Sequence, residues 1–210
     1  MIFPAPDWDI SLFQLINGTW RTDFLDFAMP IVSSKYMVLA FIVPIVCIAL
    51  FAPAKRRKFL VALLLIGVTV GATEPLVNVI KETVGRPRPH QVEAGAFYYA
   101  KKAGEWKQNP VEMVAPDTTG KSFISAHAAN SMVIAVLLAL LWPKLIAVTW
   151  TFPLLVGYSR IYLAKHYPVD VLGGWLFGFI LAVLLWSVLL RRFVPDDTDD
   201  SVIRIDRVYS

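Results

Sequence analysis

Apolar positions in this chain gather into long runs separated by short polar interruptions. Tyr36 to Phe51, Phe59 to Ile80, Ser125 to Trp142, Leu145 to about Gly157 and Pro168 to Leu190 are almost unbroken series of aliphatic and aromatic residues. A bilayer's hydrocarbon is about 30 Å thick and takes about 20 helical residues to cross. The pattern therefore predicts five spanning helices, the first two joined as a hairpin by Lys55, Arg56, Arg57 and Lys58. Before them, residues 8–17 place Trp8, Leu12, Leu15 and Ile16 on one helical face against Asp7, Asp9, Ser11 and Asn17. That is the spacing of a short amphipathic helix lying in the interface. Residues 22–33 predict a second short helix, with Asp23 and Asp26 near the positive end of its dipole and Pro30 disturbing its far end. This helix inserts partially and can supply a sixth crossing. From Glu82 to Ser122 the chain is too polar and too rich in turn signals to stay in hydrocarbon.

The expected fold is an all-α integral membrane bundle of five or six transmembrane helices with short interfacial N-terminal helices. Residues 1–194 form the membrane-embedded domain, with 90–121 as an extracytoplasmic loop. Residues 195–210, carrying Asp196, Asp197, Asp199 and Asp200, form an acidic cytoplasmic tail.

Composition agrees: 57% of residues are apolar and 17% charged, and the mean hydropathy of +0.58 exceeds that of a soluble domain. A net charge of +4 suits anionic headgroups and falls well short of a nucleic-acid-binding signature. The single cysteine, Cys47, excludes an internal disulfide and a cysteine zinc site. The N-terminus lacks the basic and apolar regions of a cleavable signal peptide, so insertion is expected to use the mature segments. Lys55 to Lys58, Lys144, Arg191 and Arg192 fall on one side in short connections or at helix ends, which marks that side as cytoplasmic. The other side carries more Lys and Arg in total, several of them in the long loop, where the positive-inside rule has little force.

Ionisable residues gather at the non-cytoplasmic boundary. Lys81, Arg86 and Arg88 follow one span, Ser125 and His127 open the next, and Arg160, His166 and Asp170 lie between the last two. Taken singly, each reads as an interfacial anchor. Together they supply what phosphoryl transfer requires. Arginine forks grip phosphate oxygens, free N–H groups at the helix start near Ser125 face an anion, and histidine serves as nucleophile or acid near neutral pH. His127, His166 and Asp170 can also be written as a two-histidine, one-carboxylate metal site, but the neighbouring cations repel a divalent ion, and no metal or other cofactor is expected. Arg86 reads as an alternative to Arg88 or as a supporting headgroup contact, and His90 as a solvated loop histidine. Glu74, Asn78 and Lys81 share a helical face, where Glu74 reads as a structural hydrogen-bonding group or a proton relay. In the loop, Phe97, Tyr98, Tyr99, Trp106, Lys101, Lys102 and Lys107 either select substrate at the interface or belong to a hydrated connector.

Lys81-Glu-Thr-Val-Gly-Arg-Pro-Arg88-Pro89 fits the pattern K-x6-R-P, Ile124-Ser125-Ala126-His127 resembles P-S-G-H, and Ser159-Arg160-x5-His166-x3-Asp170 fits S-R-x5-H-x3-D. In these motifs and their order the chain resembles the type 2 phosphatidic acid phosphatase superfamily. The second motif departs from the pattern at Ile124 and Ala126, and the Ala126 methyl restricts positive φ where glycine is usual. The resemblance implies that His166 attacks phosphorus to give a phosphohistidine, Asp170 fixes its tautomer, and His127 protonates the leaving oxygen. It further implies that Lys81, Arg88, Ser125, Arg160 and the Ala126 N–H hold phosphate oxygens. The implied substrate is a membrane lipid phosphate of the undecaprenyl pyrophosphate, phosphatidylglycerophosphate, phosphatidic acid or lipid A class. The implied location is the bacterial inner membrane, with the site facing outward. Phosphate transfer to another hydroxyl, or binding and transport without catalysis, are the alternatives.

Overall fold

A computed structural model describes residues 5–34, 56–114 and 120–188, with isolated positions at 37, 43, 47 and 192. The expected span from Tyr36 to Phe51 lies almost wholly outside the described residues, and the acidic tail from Pro195 lies outside them altogether.

Helix α1 (Asp7–Gln14) runs into a π-helical turn (Leu15–Thr19), and α2 (Asp23–Val32) starts where Thr22 Oγ1 accepts the Leu25 N–H at 3.2 Å. A single 29-residue helix, α3 (Arg56–Val84), leads into the one-turn α4 (Pro89–Val92). Strands β1 (Phe97–Ala100) and β2 (Glu105–Gln108) form an antiparallel hairpin. Helices α5 (Ala126–Leu141), α6 (Ile146–Tyr162) and α7 (Pro168–Val188) complete the bundle, with a 3₁₀ turn at Pro143–Leu145. Helix boundaries follow local chemistry, since Ser125 caps α5 and Pro168 supplies the pre-set φ that suits a first helical position.

Helix α5 is central, packed against α3, α6 and α7 and buried around most of its circumference. Its neighbours invert the usual pattern. Helix α7 turns Gly174, Gly178 and Ala182 inward, one above the other at i, i+4 and i+8, and presents Leu172, Leu176, Ile180 and Leu184 outward. Helix α3 likewise exposes Leu60, Leu64, Val68, Leu76 and Val79. Small residues inside and large aliphatic ones outside are the arrangement of helices whose solvent is lipid. The stretch Phe59–Val92 and the helix Pro168–Val188 are long and apolar enough to cross a membrane. Within α3, Thr69 and Thr73 satisfy their buried hydroxyls by donating to the carbonyls of Leu65 and Thr69, each at 2.8 Å.

The glycines set how closely α7 approaches α5. A Cβ at Gly178 would overlap the Ala129 carbonyl, and one at Gly174 the Ser125 carbonyl. Gly178→Leu is therefore expected to push the two helices apart and destabilise the bundle by about 1–3 kcal/mol. Thermal unfolding in detergent reads this out, with Gly67→Ala, in open space, as the comparison.

One expectation is corrected and one element is added. The polar face of the N-terminal helix is not wholly turned to solvent: Asp7 and Ser11 are exposed, but Asp9 and Asn17 are buried while Trp8 is half exposed. The reason is a set of partners distant in sequence. Asn17 Nδ2 donates to the carbonyls of Phe97 (2.8 Å) and Tyr162 (2.7 Å), its Oδ1 accepts the Phe97 N–H (2.9 Å), and Asp9 meets an arginine. The polar loop is also partly ordered as the β1–β2 hairpin, whose turn uses Gly104 at φ 70°. Trp106 donates to the Asp26 carbonyl at 3.2 Å, and the Arg21 guanidinium lies 4.1 Å from the Trp106 ring centroid while pairing with Asp26 at 2.6 Å. The hairpin is thereby clamped to α2 at the same end of the bundle as the motif residues.

Candidate active site

The corner between α6 and α7 explains the motif spacing Arg-x5-His-x3-Asp. Helix α6 closes in a Schellman arrangement: the Lys165 N–H returns to the Arg160 carbonyl at 3.0 Å and the Ala164 N–H to the Ile161 carbonyl at 2.9 Å. Ala164 takes the left-handed conformation, φ 52°, where glycine is usual. His90 steadies this turn, donating from its backbone N–H (3.1 Å) and from Nδ1 (2.9 Å) to the Ala164 carbonyl. His90 is thus partly buried and structural, not a solvated loop histidine. The closure returns the chain to Arg160, so that the His166 N–H also bonds the Arg160 carbonyl at 3.3 Å. Two residues later Pro168 opens α7, and Asp170, at the third helical position, accepts the Tyr167 N–H at 2.9 Å, as a capping box does.

Asp170 is fully buried and surrounded by donors. Arg86 Nη1 donates to its Oδ1 at 2.7 Å, and the Ser122 hydroxyl and the Tyr167 N–H converge on Oδ2. His166 Nδ1 lies 3.6 Å from the same Oδ2, which turns Nε2 to the opposite side of the ring. Burial, with Arg160 and Arg88 adding to it, pushes the His166 imidazole down to about 4, although Asp170 pulls the other way. The ring is neutral at pH 7 and its nitrogen lone pair is available.

Arg86 does not substitute for Arg88. It is buried, its other nitrogen donates to Asp9 Oδ2 at 2.6 Å, and its guanidinium carbon lies 4.2 Å from the Tyr167 ring centroid. Asp9 Oδ1 in turn accepts the Val169 N–H at 2.8 Å, so a carboxylate from α1 caps the start of α7. Asp9, Arg86 and Asp170 form one buried acid–base–acid unit beneath His166.

Arg88 and Arg160 line a cavity of about 240 Å³ together with Pro30, Tyr99, Lys101, Leu163 and Lys165. Arg160 Nη1 donates to Ser33 Oγ, and its buried Nε has no partner among the described residues. Lys81 is buried within electrostatic reach of Arg88 and Arg160. His127, at the first turn of α5, faces a larger cavity of about 710 Å³ with Ala126, Asn130, Ile134, Phe152 and Val156 on its wall. His127 lies within electrostatic reach of Arg160, His166, Lys101 and Lys81. Pro30, Tyr99 and Lys101 line both cavities, which therefore adjoin.

The structure gathers Lys81, Arg88, Ser125, Ala126, His127, Arg160, His166 and Asp170 at one end of the bundle. Ser125 is a helix cap, its Oγ accepting the Ala128 N–H at 3.4 Å, with the hydroxyl proton still free to be donated. Ala126 sits in the first turn of an α-helix, where no positive φ is required. Glu74 faces the larger cavity. Sequence reasoning missed Asp9, Ser122 and Tyr167 as supports of Asp170, and Lys165 as a cavity residue. Lys165 and Tyr167, which flank His166, carried a signal in their positions.

The family model of the PAP2 superfamily matches residues 57–193, and the chain belongs to that superfamily. It is 29% identical over 203 residues to undecaprenyl-diphosphatase BcrC of Bacillus subtilis, covering 93% of this chain and 90% of the relative. It is 29% identical over 201 residues to the lipid A 4'-phosphatase of Bacteroides thetaiotaomicron, covering 86% and 80%. The crystal structure of a PAP2-type phosphatidylglycerolphosphate phosphatase from Bacillus subtilis superposes with a TM-score of 0.57 at 25% identity, covering 87% of this chain and 86% of that one. Aquifex aeolicus LpxE shares the fold, with a TM-score of 0.56 at 23% identity over 88% of this chain and 98% of its own.

Proposed function

We propose that this protein hydrolyses the phosphomonoester or diphosphate group of a membrane lipid through a phosphohistidine on His166, at the outward face of the membrane. The observation that carries the reading is the junction of two cavities: a small one walled by cations, and a large apolar one entered past His127. An anionic headgroup and a hydrocarbon tail require that pair of environments on the two sides of the scissile bond. Two of the relatives are an undecaprenyl-diphosphatase and a lipid A 4'-phosphatase, which supports a lipid phosphate as the substrate.

In this mechanism His166 Nε2 attacks phosphorus while Asp170 stabilises the positive charge growing on the ring. Arg88, Arg160 and Lys81 neutralise the equatorial oxygens as fixed charges. The Ser125 hydroxyl and the Ala126 N–H add donors at the start of α5. His127 gives its proton to the leaving oxygen and later takes one from the attacking water.

The test is phosphate release by purified protein from a single lipid in detergent, with acid-labile, base-stable label trapped on His166 during turnover of a ³²P-labelled lipid. Strict dependence on an acceptor alcohol would indicate phosphotransfer instead, and lipid binding without release a non-catalytic protein. Because several cations surround the site, a divalent ion is repelled from it, and turnover is expected to persist in excess EDTA. Loss of activity on chelation, restored by one metal, would contradict the fixed-charge mechanism.

A further inference from the structure

Two lysines that the three motifs do not specify, Lys101 and, at the last variable position before His166, Lys165, stand on the wall of the anion cavity. Lys165 is half-buried, and its backbone is fixed by the bond from its N–H to the Arg160 carbonyl at 3.0 Å. Burial, followed by the charges of Arg160, Arg88 and Lys101, pushes its ammonium down to about 8, so it remains mostly protonated at neutral pH. Lys101 projects from the turn that follows β1 and lines both the small cationic cavity and the larger apolar one. It lies within electrostatic reach of both Lys165 and His127. No carboxylate lines the smaller cavity among the described residues. Arg88, Arg160, Lys101 and Lys165 therefore face one another across it without an internal counter-anion on its wall.

The placement of Lys101 bears on the leaving group. In an in-line displacement the leaving oxygen departs on the side opposite the nucleophile, here the side of His127 and the larger cavity. Lys101 lines both cavities and lies within electrostatic reach of His127, on the leaving-group side of such a displacement. Lys101 is exposed, and an alcohol leaving group offers its ammonium nothing to pair with at that point. A phosphate leaving group offers two or three anionic oxygens.

We propose that Lys101, with Lys165 beside it, forms a second-phosphate subsite, and that the preferred substrate is a lipid diphosphate over a lipid monophosphate. This rests on the hydrolase reading above. The bond between the terminal phosphorus and the bridging oxygen breaks as the His166 nitrogen–phosphorus bond forms. The proton of His127 goes to the bridging oxygen, giving the lipid monophosphate. Water then attacks the phosphohistidine, returning a proton to His127 and releasing inorganic phosphate.

The experiment compares kcat/KM for the diphosphate and the monophosphate of one prenyl alcohol in detergent, for the unaltered chain and for Lys101→Gln, Lys165→Gln and the double variant. A charge-assisted contact predicts that Lys101→Gln loses about tenfold or more on the diphosphate relative to its loss on the monophosphate. The double variant is expected to lose more, and Lys101→Arg to retain the preference. Lys102→Gln, outside both cavities, is the control and is expected to change neither value. Equal losses on both lipids, no loss on either, or an unaltered chain that turns over the monophosphate as well as the diphosphate would overturn the subsite while leaving the hydrolase intact. If neither lipid releases phosphate above the level of a His166→Ala protein, the hydrolase reading itself has failed.

Discussion

Replacing His166 by alanine is expected to lower phosphate release by roughly 10⁴-fold or more, as removal of a covalent nucleophile does, while lipid binding is largely kept. Binding survives because Arg88 and Arg160, which line the anion cavity, stay in place. The pH profile gives an independent check. A free imidazole loses its proton near 6.5, whereas burial and the adjoining arginines bring that of His166 to about 4. On protonation the lone pair is lost, so the acid limb of kcat/KM assigned to this group is expected near pH 4. Asp170 raises the value, so Asp170→Asn should move that limb lower still while reducing kcat. An unaltered rate in His166→Ala, measured on protein shown to be folded by its thermal transition, would refute the assignment.

The second large effect concerns the buried charges beneath the histidine. Arg86 holds Asp9 at 2.6 Å and Asp170 at 2.7 Å, and all three side chains are at most 1% exposed. Removing the central cation leaves two carboxylates uncompensated away from water. Arg86→Gln is expected to destabilise the protein by about 3–5 kcal/mol, seen as a lower thermal midpoint in detergent. Asp9→Asn leaves the Arg86–Asp170 pair intact and should cost less. Because the residues share one unit, the double variant Asp9→Asn/Arg86→Gln is expected to be less unstable than the sum of the two single changes. Strict additivity would show that Asp9 and Arg86 act independently.

The motifs were legible because their spacing is local geometry. The interval from Arg160 to His166 is a Schellman closure, and that from His166 to Asp170 is one residue, a proline and a third-position helix carboxylate. Long apolar runs set the helices for the same reason, since crossing lipid demands length and nothing else satisfies the backbone. What the sequence could not disclose depends on partners far along the chain. Asp9 and Asn17 looked like a solvent face because polarity on a short helix does not distinguish water from an arginine 77 residues away or a carbonyl 145 residues away. The hairpin was hidden in a polar stretch because its order comes from Arg21, Asp26 and Trp106 packing across α2. The departure at Ala126 lost its significance once that residue proved to be helical, while the left-handed strain falls on Ala164.

The bond from Val169 to Asp9 joins positions 160 residues apart, and this bears on biosynthesis. A ribosome delivers Asp9 160 residues before Val169, so the acid–base–acid unit stays open until the α6–α7 corner has been made. Nascent chains halted before α7 therefore cannot hold a competent centre.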